Sequence, residues 1–417
     1  MSKKLGLLAT LYFSQGLPFG FFTQALPVLM REQGYSLQAI GLSTLLALPW
    51  ALKFLWAPLI DRSTQAKASK RFHKKSWILA MQLAAAVVLC VPAVSAYTES
   101  IQALMIVLFT LNFIAATQDI ATDGLAVDIL RKRERGWGNG IQVAGYRIGM
   151  LVGGGVLLIL FQELGAKATY LSMAALTVLA SLPLGLTPQA KLGSRTGEQG
   201  ASATTPLPRS APSSAAPHFL RRAGAWGLLG LIVSYKVGDA FATAMLRPFL
   251  VDQGLSMADI GWLIGTVGFV AGLLGALLGG ALVQRLGRRR ALLAFGLLQA
   301  LSVAGYALLA LGTPSLGTIY ALCAAEHLAG GMATAALFTC MMDWCRPGSS
   351  ATDYTVQASA VVIATGAASA LAGFSAQAFG FAGHFGLATV LALLGVVLVF
   401  RRFPKEPRWH QASRTLA

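Results

Sequence analysis

Ionisable residues sit in this chain where the sequence is otherwise hydrocarbon. Asp119 and Asp123 lie four apart within MIVLFTLNFIAATQDIATDGLAVDIL (105–130), a spacing that places both on one helical face. Arg147 lies in the next apolar run, WGNGIQVAGYRIGMLVGGG (137–155), past the basic corner RKRERG (131–136). A charge in hydrocarbon costs roughly 2.5–3.5 kcal/mol, so these groups must face a protein partner or a wet cavity. The two carboxylates are suited to carrying protons, or to an ion pair with Arg147, or to both in turn if a substrate swaps the partner. Lys53, eight residues before Asp61, either draws an anionic substrate inward or snorkels to the nearer interface, about 12 Å away along a helix.

A second set lies in the other half of the chain. Lys236 and Asp239 are three apart, and Lys236 and Arg247 differ by only about 20° around a continuous helix. One inward face is therefore expected to carry all three, with Lys236–Asp239 a local pair and Arg247, beside Pro248, at the outer end. Glu326 and His327 point about 100° apart, and Glu326 is the expected inward group. Tyr12 and Phe19, with Phe22 and Trp50, either stack on a ligand ring or fill helix contacts. Lys53, Arg147, Lys236, Arg247, Tyr12 and Phe19 are thus the substrate candidates, and Asp119, Asp123, Asp239 and Glu326 the proton carriers. Asp128, Asp343 and Asp353 fall near the ends of apolar runs and are expected to cap helices or pair with loop arginines.

The elements that must hold these groups are membrane helices. Of 417 residues, 55% are hydrophobic and only 12% charged, and 45 are glycine; the mean hydropathy is +0.64. Those values lie outside the soluble range. Apolar windows predict spans near 5–31, 37–60, 77–97, 100–128, 138–161 and 169–187, then 225–251, 258–283, 291–312, 315–343, 351–379 and 384–400. The net charge of +17 does not indicate nucleic acid, because its distribution is one-sided. Apart from Arg31 and Lys167 on the other side, and Lys53, Arg147, Lys236 and Arg247 within spans, the lysines and arginines fall in even-numbered gaps and tails. That pattern puts both termini in the cytoplasm.

Other chemistries find little support. The cysteines Cys90, Cys323, Cys340 and Cys345 have neither metal nor secreted-disulfide spacing, and no metal or cofactor is expected. The five histidines are scattered, with only His327 and His384 in spans, so no nucleophile–base constellation of an enzyme forms. The start, MSKK before a long apolar run, reads as a first helix rather than a removed signal.

Pro188, Pro206, Pro208, Pro212 and Pro217 stand among Ser, Ala, Thr and Gly in 188–224, a composition expected to give a flexible cytoplasmic linker. It divides the chain into helical bundles at 1–187 and 225–417. The halves repeat: Gln33-Gly34-x-Ser36-x-x-x-Ile40-Gly41 recurs as Gln253-Gly254-x-Ser256-x-x-x-Ile260-Gly261. Parallel repeats of this kind suit a two-bundle transporter with substrate bound near mid-membrane.

Two corners carry a family resemblance. Gly280-x-x-x-Gln284-Arg285-x-Gly287-Arg288-Arg289 resembles the G-x-x-x-D-R-x-G-R-R loop of the major facilitator superfamily, with Gln284 where Asp is usual; in the first half only Asp61-Arg62 remains. Glu134-Arg135-Gly136 resembles the E-R-G turn of the same superfamily. The resemblance implies an all-α fold of twelve transmembrane helices in two six-helix bundles, working by alternating access. It also implies a gating role for Asp61, Arg62, Glu134, Arg135, Gly280, Arg285, Gly287 and Arg288. Within the superfamily, FSQGLPFGFFTQALPVLMREQGYSLQAIGL (13–42), LPWALKFLWAPLIDR (48–62), ATQDIATDG (116–124) and AGYRIGMLVGGG (144–155) resemble the branch of AmpG-type muropeptide permeases and RhtX/FptX siderophore importers. The first sixty residues are most similar to the importers. The implied activity is proton-coupled import of a ferric siderophore across a bacterial inner membrane by a monomer. A muropeptide permease and a drug or metabolite efflux transporter are the alternatives.

Overall fold

The computed structural model describes residues 2–26, 30, 44–65, 73–94, 101–188, 217–222, 224–312 and 314–403. Every regular element among them is helical. In chain order they are α1 (Ser2–Gly20), a π-helical turn Phe21–Ala25, a 3-10 turn Thr44–Ala47, α2 (Leu48–Leu52), a 3-10 turn Lys53–Leu55, α3 (Ala57–Gln65), α4 (Lys74–Val94), α5 (Ile101–Ile129) and α6 (Arg135–Leu151). After a π turn Val152–Val156 come α7 (Leu157–Leu186), α8 (Pro217–Leu220), α9 (Ala225–Ala244), α10 (Leu246–Asp252) and α11 (Met257–Trp262). A π turn Leu263–Gly268 then leads to α12 (Phe269–Leu286), α13 (Arg288–Leu309), α14 (Leu316–Asp343) and α15 (Ser350–Arg402).

Ten helices among the described residues are long and apolar enough to cross a membrane. Two local causes account for the difference from twelve. Ser350–Arg402 holds two helices that meet end to end at a kink at Gly380, whose φ of 66° and ψ of 175° are open to glycine and few other residues. The expected span 37–60 is not one helix over its described part; it is four short pieces from Thr44 to Gln65. Pro49 and Pro58 each remove a backbone donor there and favour a new helical start over a continued one. Pro18 acts more gently in α1, which passes into a π turn at Phe21. Pro27, Arg31 and the first copy of the repeat (33–41) lie outside the described residues. In the second copy, Gly254 takes a φ of +81° and Ser256 closes a capping box with Asp259.

Large apolar side chains cover much of the outside: Phe374 is 72% exposed and Leu308 71%, which only hydrocarbon surroundings reward. Inside, glycine lets backbones touch. A Cβ on Gly149 or Gly153 of the α6 region would land on the carbonyl of Phe13 or Leu17 in α1. Gly275 meets the Leu328 carbonyl, and Gly331 the Gly272 carbonyl, between α12 and α14. Without a hydrophobic driving force between helices, such close packing replaces it.

The chain forms two compact units. Unit 1 gathers Met1–Glu134, Ile141–Phe219 and Cys345–Ser359; unit 2 gathers Arg135–Gly140, Leu220–Trp344 and Ala360–Ala417. Leu17, Phe21, Leu89, Leu108, Leu111 and Tyr170 belong to the core of unit 1. Phe241, Phe249, Val303, Tyr306, Cys323 and Phe385 belong to that of unit 2. Residues 189–216 and 223 of the expected linker lie outside the described residues. Its last part is ordered: α8 buries Phe219 completely, and Arg222 donates to the Trp344 carbonyl at 3.2 Å.

Candidate functional site

Unit 1 holds a buried polar web built on α5. Asn112, Asp119 and Asp123 stand at spacings of seven and four, so one face of this helix carries all three. The Lys53 ammonium forms an ion pair with Asp119 Oδ2. Lys53 is only 3% exposed, which rules out snorkelling: the broken second span delivers the side chain sideways to α5. Its ammonium also lies 5.5 Å from the Trp50 ring centre, within cation–π range. Trp50 Nε1 donates to Asn112 Oδ1 at 2.9 Å. Asp123 Oδ1 accepts from the Tyr12 hydroxyl at 2.8 Å and from Gln142 Nε2 at 3.2 Å. Asp119 and Asp123, four residues apart, are thus held by different partners.

Aromatic rings close one side of this web. Phe19 packs 5.6 Å from Trp50 and 5.7 Å from Tyr146. Tyr12, Gln15 and Phe19 lie within about 60° of one another around α1. Gln15 is 1% exposed, and neither its amide nitrogen nor its amide oxygen has a hydrogen-bond partner among the described residues. Arg147 is half-buried on α6, about one and a half turns past Gln142.

The predicted gating residues form two tethers, each inside one unit. In unit 1, Asp61 Oδ2 accepts the Thr352 backbone N–H at 2.7 Å. Lys74 joins Asp128 Oδ2 at 2.6 Å and Ser350 Oγ at 2.5 Å, and Ser350 donates to Asp128 Oδ1 at 2.8 Å. Asp61 thus meets a backbone amide, and Asp128 the Ser350 hydroxyl, at the positive end of the helix dipole at the start of α15. Burial, the largest influence, pushes the Asp61 carboxyl above its ordinary range, opposed by the Lys74 charge and the Thr352 amide. Arg346 and Asp353 close a fork at 2.6 and 2.8 Å just before that helix, and these bonds raise the Arg346 guanidinium above its usual value.

In unit 2, Asp343 accepts from two of the motifs at once. Arg135 Nη1 donates to its Oδ1 and Arg288 Nε to its Oδ2, both at 2.7 Å; Arg135 also reaches the Met342 carbonyl at 2.7 Å. Gly136 and Gly280 come so close that a Cβ on either would strike the other's carbonyl. Gly287 links α12 to α13 with a φ of 79°, where an L side chain is strained. Glu134 accepts the Arg131 N–H at 2.9 Å and closes the basic corner. Arg62 and Arg285 are exposed.

The second charged group also lies in unit 2. Lys236 Nζ donates to Asp239 Oδ2 at 2.6 Å, as expected, and to Thr334 Oγ1 at 3.3 Å. Arg247 does not share a continuous helical face with them. α9 ends at Ala244, Met245 leaves the helical region, and α10 restarts at Leu246, because Pro248 cannot bond the Ala244 carbonyl. Arg247 is exposed. Glu326 is 3% exposed, and its Oε2 lies 2.7 Å from His327 Nδ1.

Gln15, Lys74, Gln142 and Ser350 escaped the sequence reading. Gln15 and Gln142 are polar residues in apolar helices, which was the available signal. Lys74 resembled an ordinary loop lysine, and only the fold reveals its partners.

Residues 4–175 match the family model described as Acetyl-coenzyme A transporter 1, and residues 230–416 that of the Major Facilitator Superfamily. The chain is similar to the anhydromuropeptide permease of Escherichia coli (strain K12), at 33% identity over 398 residues, covering 94% of this chain and 78% of the permease. It is also similar to putative transporter AmpG 4 of Rickettsia conorii (strain ATCC VR-613 / Malish 7), at 27% identity with 91% of each chain covered. Among solved structures, the human organic anion transporter MFSD10 shares the fold, with a TM-score of 0.72, 16% identity and 95% of this chain against 99% of that one. These matches support the AmpG-type side of the resemblance and give no support to the siderophore importers.

Proposed function

We propose a substrate for a chain whose family is established: it belongs to the major facilitator superfamily of membrane transporters, in the family of the anhydromuropeptide permease. It is a multi-pass membrane transporter and not an enzyme. The substrate we infer is an anhydromuropeptide, taken inward across a bacterial inner membrane by alternating access and driven by protons. The observation that carries this reading is the identity to the permease along 94% of the chain.

The chemistry of the buried web fits such a ligand. A muropeptide carries carboxylates, N-acetyl and peptide amides, and sugar faces. Within unit 1, Lys53 and Arg147 supply cations for the carboxylates, and Tyr12 and Phe19 supply rings for the sugar; Lys236 and Arg247 are the cations of unit 2, Arg247 on its exposed surface. Gln15 has an amide donor and acceptor to pair with the ligand's own. Asp119, Asp123, Asp239 and Glu326 are the proton carriers in this reading, and the two tethers are the contacts that break as the transporter changes state. The chain acts as a monomer with both termini in the cytoplasm.

The deciding experiment is uptake of a radiolabelled anhydromuropeptide into cells lacking their own permease, with and without this protein restored. A labelled ferric siderophore, the substrate suggested by the first sixty residues, is the parallel arm. Muropeptide uptake that an ionophore abolishes is the expected result. Siderophore uptake alone would overturn the substrate, and ionophore-resistant muropeptide uptake would overturn the coupling.

A further inference from the structure

Gly330 stands apart from the seam glycines. At Gly275 and Gly331 an added Cβ meets neighbouring backbone, so helix packing explains the missing side chain. At Gly330 the nearest atoms are the polar tips of three side chains: Gln299 Nε2 at 3.2 Å, Glu326 Oε1 at 3.7 Å and Asp239 Oδ1 at 4.0 Å. These come from α13, α14 and α9, all within unit 2. Glycine in a helix interior is less favourable than alanine, and here no backbone contact within 4 Å accounts for it.

Gln299 supplies the second observation. It is 2% exposed, and its Nε2 has no hydrogen-bond partner among the described residues although it points into this recess. Glu326 Oε2 likewise forms no aligned hydrogen bond; His327 Nδ1, 2.7 Å away, is also 3.0 Å from the Cys323 carbonyl. Two carboxylate oxygens and one unpartnered amide donor converge within 4.0 Å of one point beside Gly330, a set of donors and acceptors that a single bridging water satisfies. The amide N–H disfavours a metal ion there.

We propose that the recess over Gly330 is a proton relay in which one water joins Glu326 to Asp239. It deepens the proton coupling proposed above and rests on that reading. A proton leaves the Glu326 carboxyl for the water as another passes from the water to Asp239, so the water is regenerated. Neutral Asp239 then releases Lys236, which it holds at 2.6 Å, and the freed ammonium meets a substrate carboxylate. The other titratable groups around the recess are Tyr235 on α9, Tyr306 on α13, and Cys323 and His327 on α14.

Difference infrared spectroscopy on the purified full-length protein, between acidic and neutral buffer, tests the relay without any substrate. The expected carbonyl band of a protonated carboxyl is present in the wild type and lost in Glu326→Gln. In Gly330→Ala it shifts upward, because the added methyl displaces the bridging water. Gln299→Leu, which removes the amide donor and leaves Gly330 unchanged, is the second variant and shifts the same band. A band unchanged in Gly330→Ala and Gln299→Leu, with melting temperatures showing folded protein, overturns the relay. The two readings fail separately. If the bands behave as expected but no muropeptide enters cells, the substrate falls and the relay stands. If wild-type uptake is normal and both bands and uptake are unchanged in the variants, the relay falls alone.

Discussion

At the scale of single residues, Lys53 and Asp119 set the terms for unit 1. Each charge is nearly removed from water, so deleting one leaves the other uncompensated, at a cost of about 3–5 kcal/mol. Lys53→Met and Asp119→Leu alone are expected to lower the melting temperature of the purified protein sharply. The double variant should regain most of that loss, because an apolar pair of similar volume carries no desolvation cost, while uptake stays absent in all three. A double variant no more stable than either single one would refute the pairing. The sequence marked Asp119 as a charge needing a partner and offered an ion pair with Arg147 as one of its readings; the structure shows Lys53 paired with Asp119, which it reaches because prolines break its own span.

At the scale of elements, the start of α15 depends on Asp61. The carboxylate caps the Thr352 amide, yet burial raises its proton affinity above the ordinary range. For an acid raised in the folded state, the folded protein binds more protons than the unfolded chain between the ordinary and the raised value. Stability therefore increases as pH falls through that window and decreases as pH rises through it. Asp61→Asn keeps an acceptor for Thr352 and removes the charge. Its melting temperature should vary less with pH than that of the wild type across the weakly acidic range; equal slopes would show that Asp61 does not titrate there. The motif Gly280–Arg289 was legible in sequence, and its glycine spacing now has causes in the contact with Gly136 and the positive φ of Gly287.

At the scale of the whole molecule, the one-sided basic residues call for a defined topology. In a variant without native cysteines, Ser2→Cys and Ala417→Cys should react with an impermeant maleimide only after the inner membrane is opened. Ser256→Cys, at the turn before α11, should react when only the outer membrane is permeable. Labelling of the termini in that second condition would invert the topology and, with it, the proposed direction of transport.

The sequence by itself determined the membrane setting, the helical class and the positions of most buried charges. Hydropathy and charge cost are properties of each residue in its medium, and they survive any rearrangement of neighbours. It also carried the superfamily motifs. Only the tertiary structure decided which charges pair, that Arg247 leaves the face of Lys236, and that Asp343 receives both Arg135 and Arg288. Those outcomes depend on where prolines interrupt helices and on how closely glycines let them pack, and neither the angle nor the approach of one helix to another is written in the periodicity of either.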